Sequence, residues 1–172
     1  MGRNKLAERA RAGDLDAQCL LAHRLMRAET PAAYRRAMPW LRRAARRHNR
    51  WAEYHLGLIY DCGLTGRRDW RLARKWYGRA ASSGFDSARL NLGIILASMR
   101  GRNRDLKGAV RLYRLAARQG NRNAAYNLGL YYSKGRGVVR SVARARRWYA
   151  KAAAAGDRTA ATALRRLEGS GA

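Results

Sequence analysis

Acidic side chains are scarce in this 172-residue chain: 11 Asp and Glu face 38 Lys and Arg, for a formal net charge of +27. Such a surface repels itself and attracts polyanions. So few carboxylates leave no pair suited to general acid–base work. Serine, histidine and carboxylate form no recognisable nucleophilic arrangement either, so no catalytic residues are expected. Lysine is nearly missing as well, found only at Lys5, Lys75, Lys107, Lys134 and Lys151. Arginine forks suit carboxylate and phosphate groups. A GC-rich genome would account for arginine in place of lysine, but not for the missing acids. Proline occurs only at Pro31 and Pro39 and β-branched residues are few, which favours helix throughout. The two cysteines, Cys19 and Cys62, occupy unrelated positions in the repeat described below, which excludes a regular disulfide framework. Two free thiols fit a reducing compartment and predict a cytoplasmic protein. No apolar run is long enough to cross a membrane. The opening segment MGRNKLAERARAGD has basic residues without an apolar stretch, so it is not expected to act as a secretory signal.

What the chain does contain is a repeat with a step of 36 residues. Ala44-Ala45 recurs as Ala80-Ala81, Ala116-Ala117 and Ala152-Ala153, and Trp40-Leu41 as Trp76-Tyr77, Leu112-Tyr113 and Trp148-Tyr149. A second set holds Ala52, Ala88, Ala124 and Ala160, with leucine four residues on at Leu56, Leu92, Leu128 and Leu164. Glycine follows at Gly57, Gly93 and Gly129, where the first repeat has Ala22. Ala17 and Leu21 are one residue out of step, so the first repeat is one residue short.

Ala37, Trp40, Leu41, Ala44 and Ala45 fall at i, i+3, i+4, i+7 and i+8, one apolar stripe on a helix. Ala124, Leu128 and Tyr132 do the same for the preceding helix. Glycine in the leucine-glycine column allows a paired helix to come close. Gly84, Gly120 and Gly156 follow each second helix as left-handed caps, with His48 in that place in the first repeat. Asp69, Asp105 and Ser141 are predicted N-caps of the second helices. The expected organisation is all-α: one domain spanning 1–172, with a partial cap helix at 1–13. Repeats follow at about 14–48, 49–84, 85–120 and 121–156, then a terminal half-repeat at 157–168. The last residues, Gly169 to Ala172, are expected to fray.

The fourth repeat reads AAYNLGLYYSKGRGVVRSVARARRWYAKAAAAG from Ala124 to Gly156. This is very similar to the Sel1-like repeat, a relative of the tetratricopeptide repeat, and the resemblance covers nearly the whole chain. It implies α/α hairpins stacked in a right-handed superhelical solenoid, used as a protein–protein adaptor. Two turns depart from the pattern. The first repeat lacks Gly-x-Gly, and the third has Met99-Arg100-Gly101; remodelled turns between unchanged helices are expected there. Secreted members of the family carry regular disulfides, a cysteine pattern this chain does not have.

Two binding faces follow. Under the family's architecture the first helices line a concave groove, with Glu53, His55, Arg89, Asn91, Tyr126 and Asn127 as its candidates for holding a protein segment. His55, Asn91 and Asn127 share one column. It reads either as local hydrogen bonding that supports the fold or as a ladder gripping a peptide backbone. The alternative face is the arginine-rich second helix, with Arg43, Arg71, Lys75, Arg79, Lys107, Arg111, Arg114, Arg147 and Lys151 as candidates for RNA, DNA or an acidic protein. Arg102 belongs to the same basic series. A solvated helix face explains why these positions are polar, but ordinary surfaces mix signs. A membrane surface is disfavoured, because no helix pairs a basic face with an exposed apolar one. Trp51 and Trp70 lie outside the apolar columns and are candidates for stacking on a partner. No metal or cofactor is expected. His23, His48 and His55 lack ligand spacing, and Gly135-Arg136-Gly137 reads as an inter-helix turn rather than a phosphate loop.

Overall fold

The computed structural model describes residues 2–99, 101 and 104–169; Arg100, Arg102 and residues 170–172 lie outside that set. Among the described residues there are ten α-helices and no strand. They are α1 (Gly2–Arg11), α2 (Leu15–Met26), α3 (Pro31–Arg46), α4 (Arg50–Cys62) and α5 (Trp70–Ser82), followed by α6 (Asp86–Ser98), α7 (Leu106–Arg118), α8 (Arg122–Lys134), α9 (Val142–Ala154) and α10 (Arg158–Gly169). The helices α2, α4, α6, α8 and α10 are the first helices of successive repeats, and α3, α5, α7 and α9 the second.

Each boundary has a local cause. The side chains of Asp69, Asp105 and Ser141 accept hydrogen bonds from the amides of Leu72, Gly108 and Arg144, so all three predicted N-caps form. The first helices are capped as well: Asp14, Asn49, Asn121 and Asp157 accept from Ala17, Ala52, Ala124 and Ala160. Gly84, Gly120 and Gly156 have φ of +86°, +94° and +87° after α5, α7 and α9. His48 takes the same left-handed conformation at +58° in the first repeat, as read from its place in the column. Beyond each of these turns, the amides of Asn49, Phe85, Asn121 and Asp157 donate back to the carbonyls of Ala44, Ala80, Ala116 and Ala152.

The first repeat differs by more than its turn. Thr30 caps α3 through the Ala33 amide and Pro31 sits in the first turn, where a proline removes no helical hydrogen bond. The helix therefore starts early and runs 16 residues, against 13 in α5, α7 and α9. The expectation that the helices would not change fails here: the missing Gly-x-Gly segment is traded for an added turn of helix.

The helices gather into two compact units, Met1–Ala88 and Arg89–Ala172. In the first, Ala22, Met26, Ala37, Leu41, Ala44, Ala45, Ala52, Leu56 and Ile59 form the central cluster. In the second, Ala109, Tyr113, Ala116, Ala117, Ala124, Leu128, Ala145, Tyr149 and Ala152 do so. The glycine column has the predicted role. A Cβ on Gly57, Gly93 or Gly129 would lie 2.5, 2.6 or 2.5 Å from a ring carbon of Tyr77, Tyr113 or Tyr149 on the paired helix. The first repeat has Ala22 and Leu41 in those columns, both fully buried. A methyl is tolerated there because the ring is absent.

Candidate functional site

In the first unit, the groove candidate Glu53 is only 1% exposed, inside the fold rather than on a surface. Its carboxylate accepts from Arg79 Nε at 2.8 Å, while another guanidinium nitrogen of Arg79 donates to the Ala45 carbonyl at 2.7 Å. Arg79 also lies over the Trp76 ring, 5.1 Å from its centroid. A cation assigned to the outer face and an acid assigned to the groove are thus one ion pair linking α4 to α5. Desolvation makes such a pair costly to break from one side. His55 is half-buried and packs against Trp51, ring centroids 4.2 Å apart and planes tilted by 50°, with His23 approaching the same indole from α2 at 6.2 Å. Burial, with His23 facing it, pushes His55 down to about 4. Trp51 is accordingly a half-buried platform, whereas Trp70 is 56% exposed with Arg68 over it at 5.6 Å. Arg43, Arg71 and Lys75 are exposed, Arg43 above Trp40 at 5.0 Å.

In the second unit, Arg89 donates to Gln119 at 2.6 Å, and Asn91 and Asn127 are half-buried. Tyr126 packs on Tyr149, ring centroids 5.7 Å apart, and lines an open groove of about 590 Å³ between α8 and α10. Leu130, Thr159, Thr162, Ala163 and Leu167 supply its floor and walls, with Lys134, Arg158 and Arg166 among its lining cations. On the second helices Lys107, Arg111, Arg147 and Lys151 are exposed. Arg114 is not: it is half-buried and donates to the Tyr132 hydroxyl at 2.6 Å.

The cations outnumber available acids by more than composition implies. At least seven of the 11 acids are committed locally. Asp14, Asp69, Asp105 and Asp157 cap helices, and Glu53, Asp61 and Glu168 pair with Arg79, Arg68 and Arg146. Among the described residues no ion pair reaches Arg43, Arg71, Lys75, Lys107, Arg111, Arg147 or Lys151.

Sequence reasoning placed Arg147 and Lys151 on a binding face but not Tyr132, Arg144 and Trp148, which join them along α9. Tyr132, Arg144, Arg147, Trp148 and Lys151 line a pocket of about 420 Å³. Arg144 sits over the Tyr132 ring at 5.6 Å and Lys151 over the Trp148 ring at 5.6 Å. Trp148 and Tyr132 belong to apolar columns in the sequence, and nothing in the linear pattern of a single repeat singles out Arg144. Comparing repeats two and four, 72 residues apart, was the available signal: Leu72 becomes Arg144 and Glu53 becomes Ala125.

Neither cysteine is bridged; Cys19 is half-buried and Cys62 exposed. Among the described residues no three His, Cys, Asp or Glu side chains group as a metal site, and no helix is long and apolar enough to cross a membrane.

Capped helix pairs at a fixed step, locked by a glycine–tyrosine contact, define an α/α repeat solenoid. The Sel1 repeat family model matches residues 15–49, 52–85, 86–121 and 122–157, and the chain belongs to that family. It is similar in structure to a protective antigen present in uropathogenic Escherichia coli strains that displays an SLR fold (TM-score 0.91, 33% identity). That match covers 99% of this chain and 37% of the other. A Sel1 repeat protein from Oxalobacter formigenes matches with TM-score 0.80 and 30% identity, over 94% of this chain and 48% of that one. The chain thus spans less than half the length of either relative. Helicobacter pylori cysteine rich protein B shares the fold at 20% identity and TM-score 0.57, over 72% of this chain and 94% of that one. No curated protein matches. Sel1 repeat proteins are generally interaction scaffolds without enzymatic activity.

Proposed function

We propose that this chain is a non-enzymatic adaptor that holds a protein segment against its first helices, working in the cytoplasm with Cys19 and Cys62 reduced. The observation that carries this reading is the open groove between α8 and α10, mixed apolar and hydroxyl in lining, with Tyr126 at its base and Lys134, Arg158 and Arg166 in its wall. Those features fit a segment with an apolar anchor flanked by acids, since complementary charge sets orientation and on-rate. The test is selection from a displayed peptide library. Selected peptides should be acidic around an apolar residue. They should lose binding to Thr162→Arg and to Arg166→Glu while melting temperature is unchanged, both positions being exposed. Equal binding to the parent and both variants would sink the groove.

A second reading, binding of a polyanion through the second helices, is favoured by a separate observation. Arg43, Arg71, Lys75, Lys107, Arg111, Arg147 and Lys151 are exposed and no carboxylate pairs with them among the described residues. Dispersed cations of this kind reward a phosphate backbone through counterion release. Arg79 and Arg114 are half-buried and held by Glu53 and Tyr132, so they contribute less to that surface.

A further inference from the structure

The two units contain the same frame 72 residues apart, and the frame differs in charge. In the first unit Arg42 donates to the Tyr60 hydroxyl at 2.9 Å, and Arg79 lies over Trp76. In the second unit Arg114 donates to the Tyr132 hydroxyl at 2.6 Å, and Lys151 lies over Trp148. The first frame carries less free charge: Glu53 takes Arg79, and Leu72 stands where the fourth repeat has a cation, which leaves Lys75 over Trp76 at 6.0 Å as the cation equivalent to Arg147. In the second frame the equivalent of Glu53 is Ala125, 1% exposed, so nothing there can take Lys151. Arg144, the equivalent of Leu72, adds a guanidinium over the Tyr132 ring. Arg147 completes the lining, and no acidic side chain joins it. Among the described residues no ion pair reaches Arg144, Arg147 or Lys151. The volume of about 420 Å³ lies within the range of small-ligand pockets.

We infer that this pocket is an anchoring site for single-stranded nucleic acid, with Arg144, Arg147 and Lys151 on the phosphates and a base against Trp148. The inference rests on the polyanion reading above and narrows it to one place and one ligand class. Arg144 and Lys151 are already positioned over rings, and no carboxylate in the pocket lining competes for an anion. Guanidinium planes match phosphate bidentately. The half-buried indole lines the pocket beside Lys151, where an entering base would meet it; a duplex keeps its bases inside its own stack and an acidic peptide has none. The equivalent place in the first unit is expected not to bind.

The experiment is fluorescence anisotropy with a labelled 20-nucleotide oligouridine across a salt series, with duplex DNA of equal length and poly-glutamate as comparison probes. Arg147→Glu and Lys75→Glu are matched variants: equivalent frame positions, both exposed, each changing net charge by the same amount. Arg147→Glu should weaken oligouridine binding by about tenfold or more and reduce the salt slope by about 1; Lys75→Glu should change affinity less than about threefold. Arg144→Leu, which copies the first unit's own residue, should also weaken binding, with the helical signal unchanged. Equal losses from Arg147→Glu and Lys75→Glu would overturn the pocket and leave a diffuse polyanion surface standing. Duplex binding as tight as single-strand binding would overturn the stacking role. Poly-glutamate binding as tight as oligouridine would assign the pocket to an acidic protein instead. No binding of any probe at low salt would remove both the pocket and the polyanion reading.

Discussion

At position 55 the column that holds asparagine in the next two repeats, Asn91 and Asn127, holds a histidine. The contact with Trp51 and the approach of His23 turn that exchange into a pH effect. The folded imidazole is pushed down to about 4 by burial first and His23 second, whereas an unfolded histidine titrates near 6.5. As pH falls through that interval the unfolded chain takes up the proton first, so stability declines with falling pH. The loss across the interval is at most about 3 kcal/mol. Asp14, held below the usual carboxylate range by the Ala17 amide and by Arg9, loses its contribution only at lower pH. His55→Asn should therefore flatten the melting temperature between about pH 6.5 and 4.5 relative to the parent. Thermal scans across that range check it, and an unchanged slope would show that His55 is not the group responsible. Sequence placed His55 in its column. Trp51, four residues earlier on α4, is legible as its same-face neighbour; the burial and the approach of His23 from α2 are not.

Pairs of helices are set by the contact between a glycine and a tyrosine 20 residues further on. The glycine column signals close approach in the sequence, and the tyrosine column reads only as core. Their partnership appears once the helices pack. Gly93→Ala should overpack Tyr113 and cost about 1–3 kcal/mol, because the added methyl meets ring carbons on a buried side chain. Adding Tyr113→Leu reproduces the Ala22 and Leu41 combination of the first repeat. A double-mutant cycle by urea unfolding should then show coupling of about 1 kcal/mol or more, with the second substitution less harmful beside alanine than beside glycine. Additive losses would mean the backbone shifts away and the contact does not set the helix spacing. The early start of α3 belongs at this scale too. Thr30 and Pro31 are legible as a cap and first turn, yet the repeat alignment hid them by implying a constant helix length.

Over the whole molecule the net charge of +27 acts on folding as well as on partners. Like charges at this density oppose the compact state, and salt screens them over about 10 Å at 0.1 M. Raising sodium chloride from about 20 to about 300 mM should raise the melting temperature, by about 3 °C for each kcal/mol of relieved repulsion. Calorimetry at fixed pH checks this. A fall would mean that the pairs Arg79–Glu53, Arg68–Asp61 and Arg146–Glu168 outweigh the repulsion. The same excess leaves few acids to balance it: Glu8, Asp16 and Glu29 are exposed, while most of the others cap helices or pair with arginine.

The all-α class, the repeat step and most caps of the second helices were determined by sequence alone, because periodicity and caps are local properties that recur visibly along the chain. So was the existence of a basic second-helix series. Which cations are available was decided only by tertiary structure. Arg79 and Arg114 resemble their neighbours in sequence, but one is neutralised by Glu53 from α4 and the other held by Tyr132 from α8. Arg144, Arg147 and Lys151 face a pocket instead. The physical reason is that a charge's role depends on what packing brings within a few ångströms. Those groups come from helices that the linear pattern sets apart.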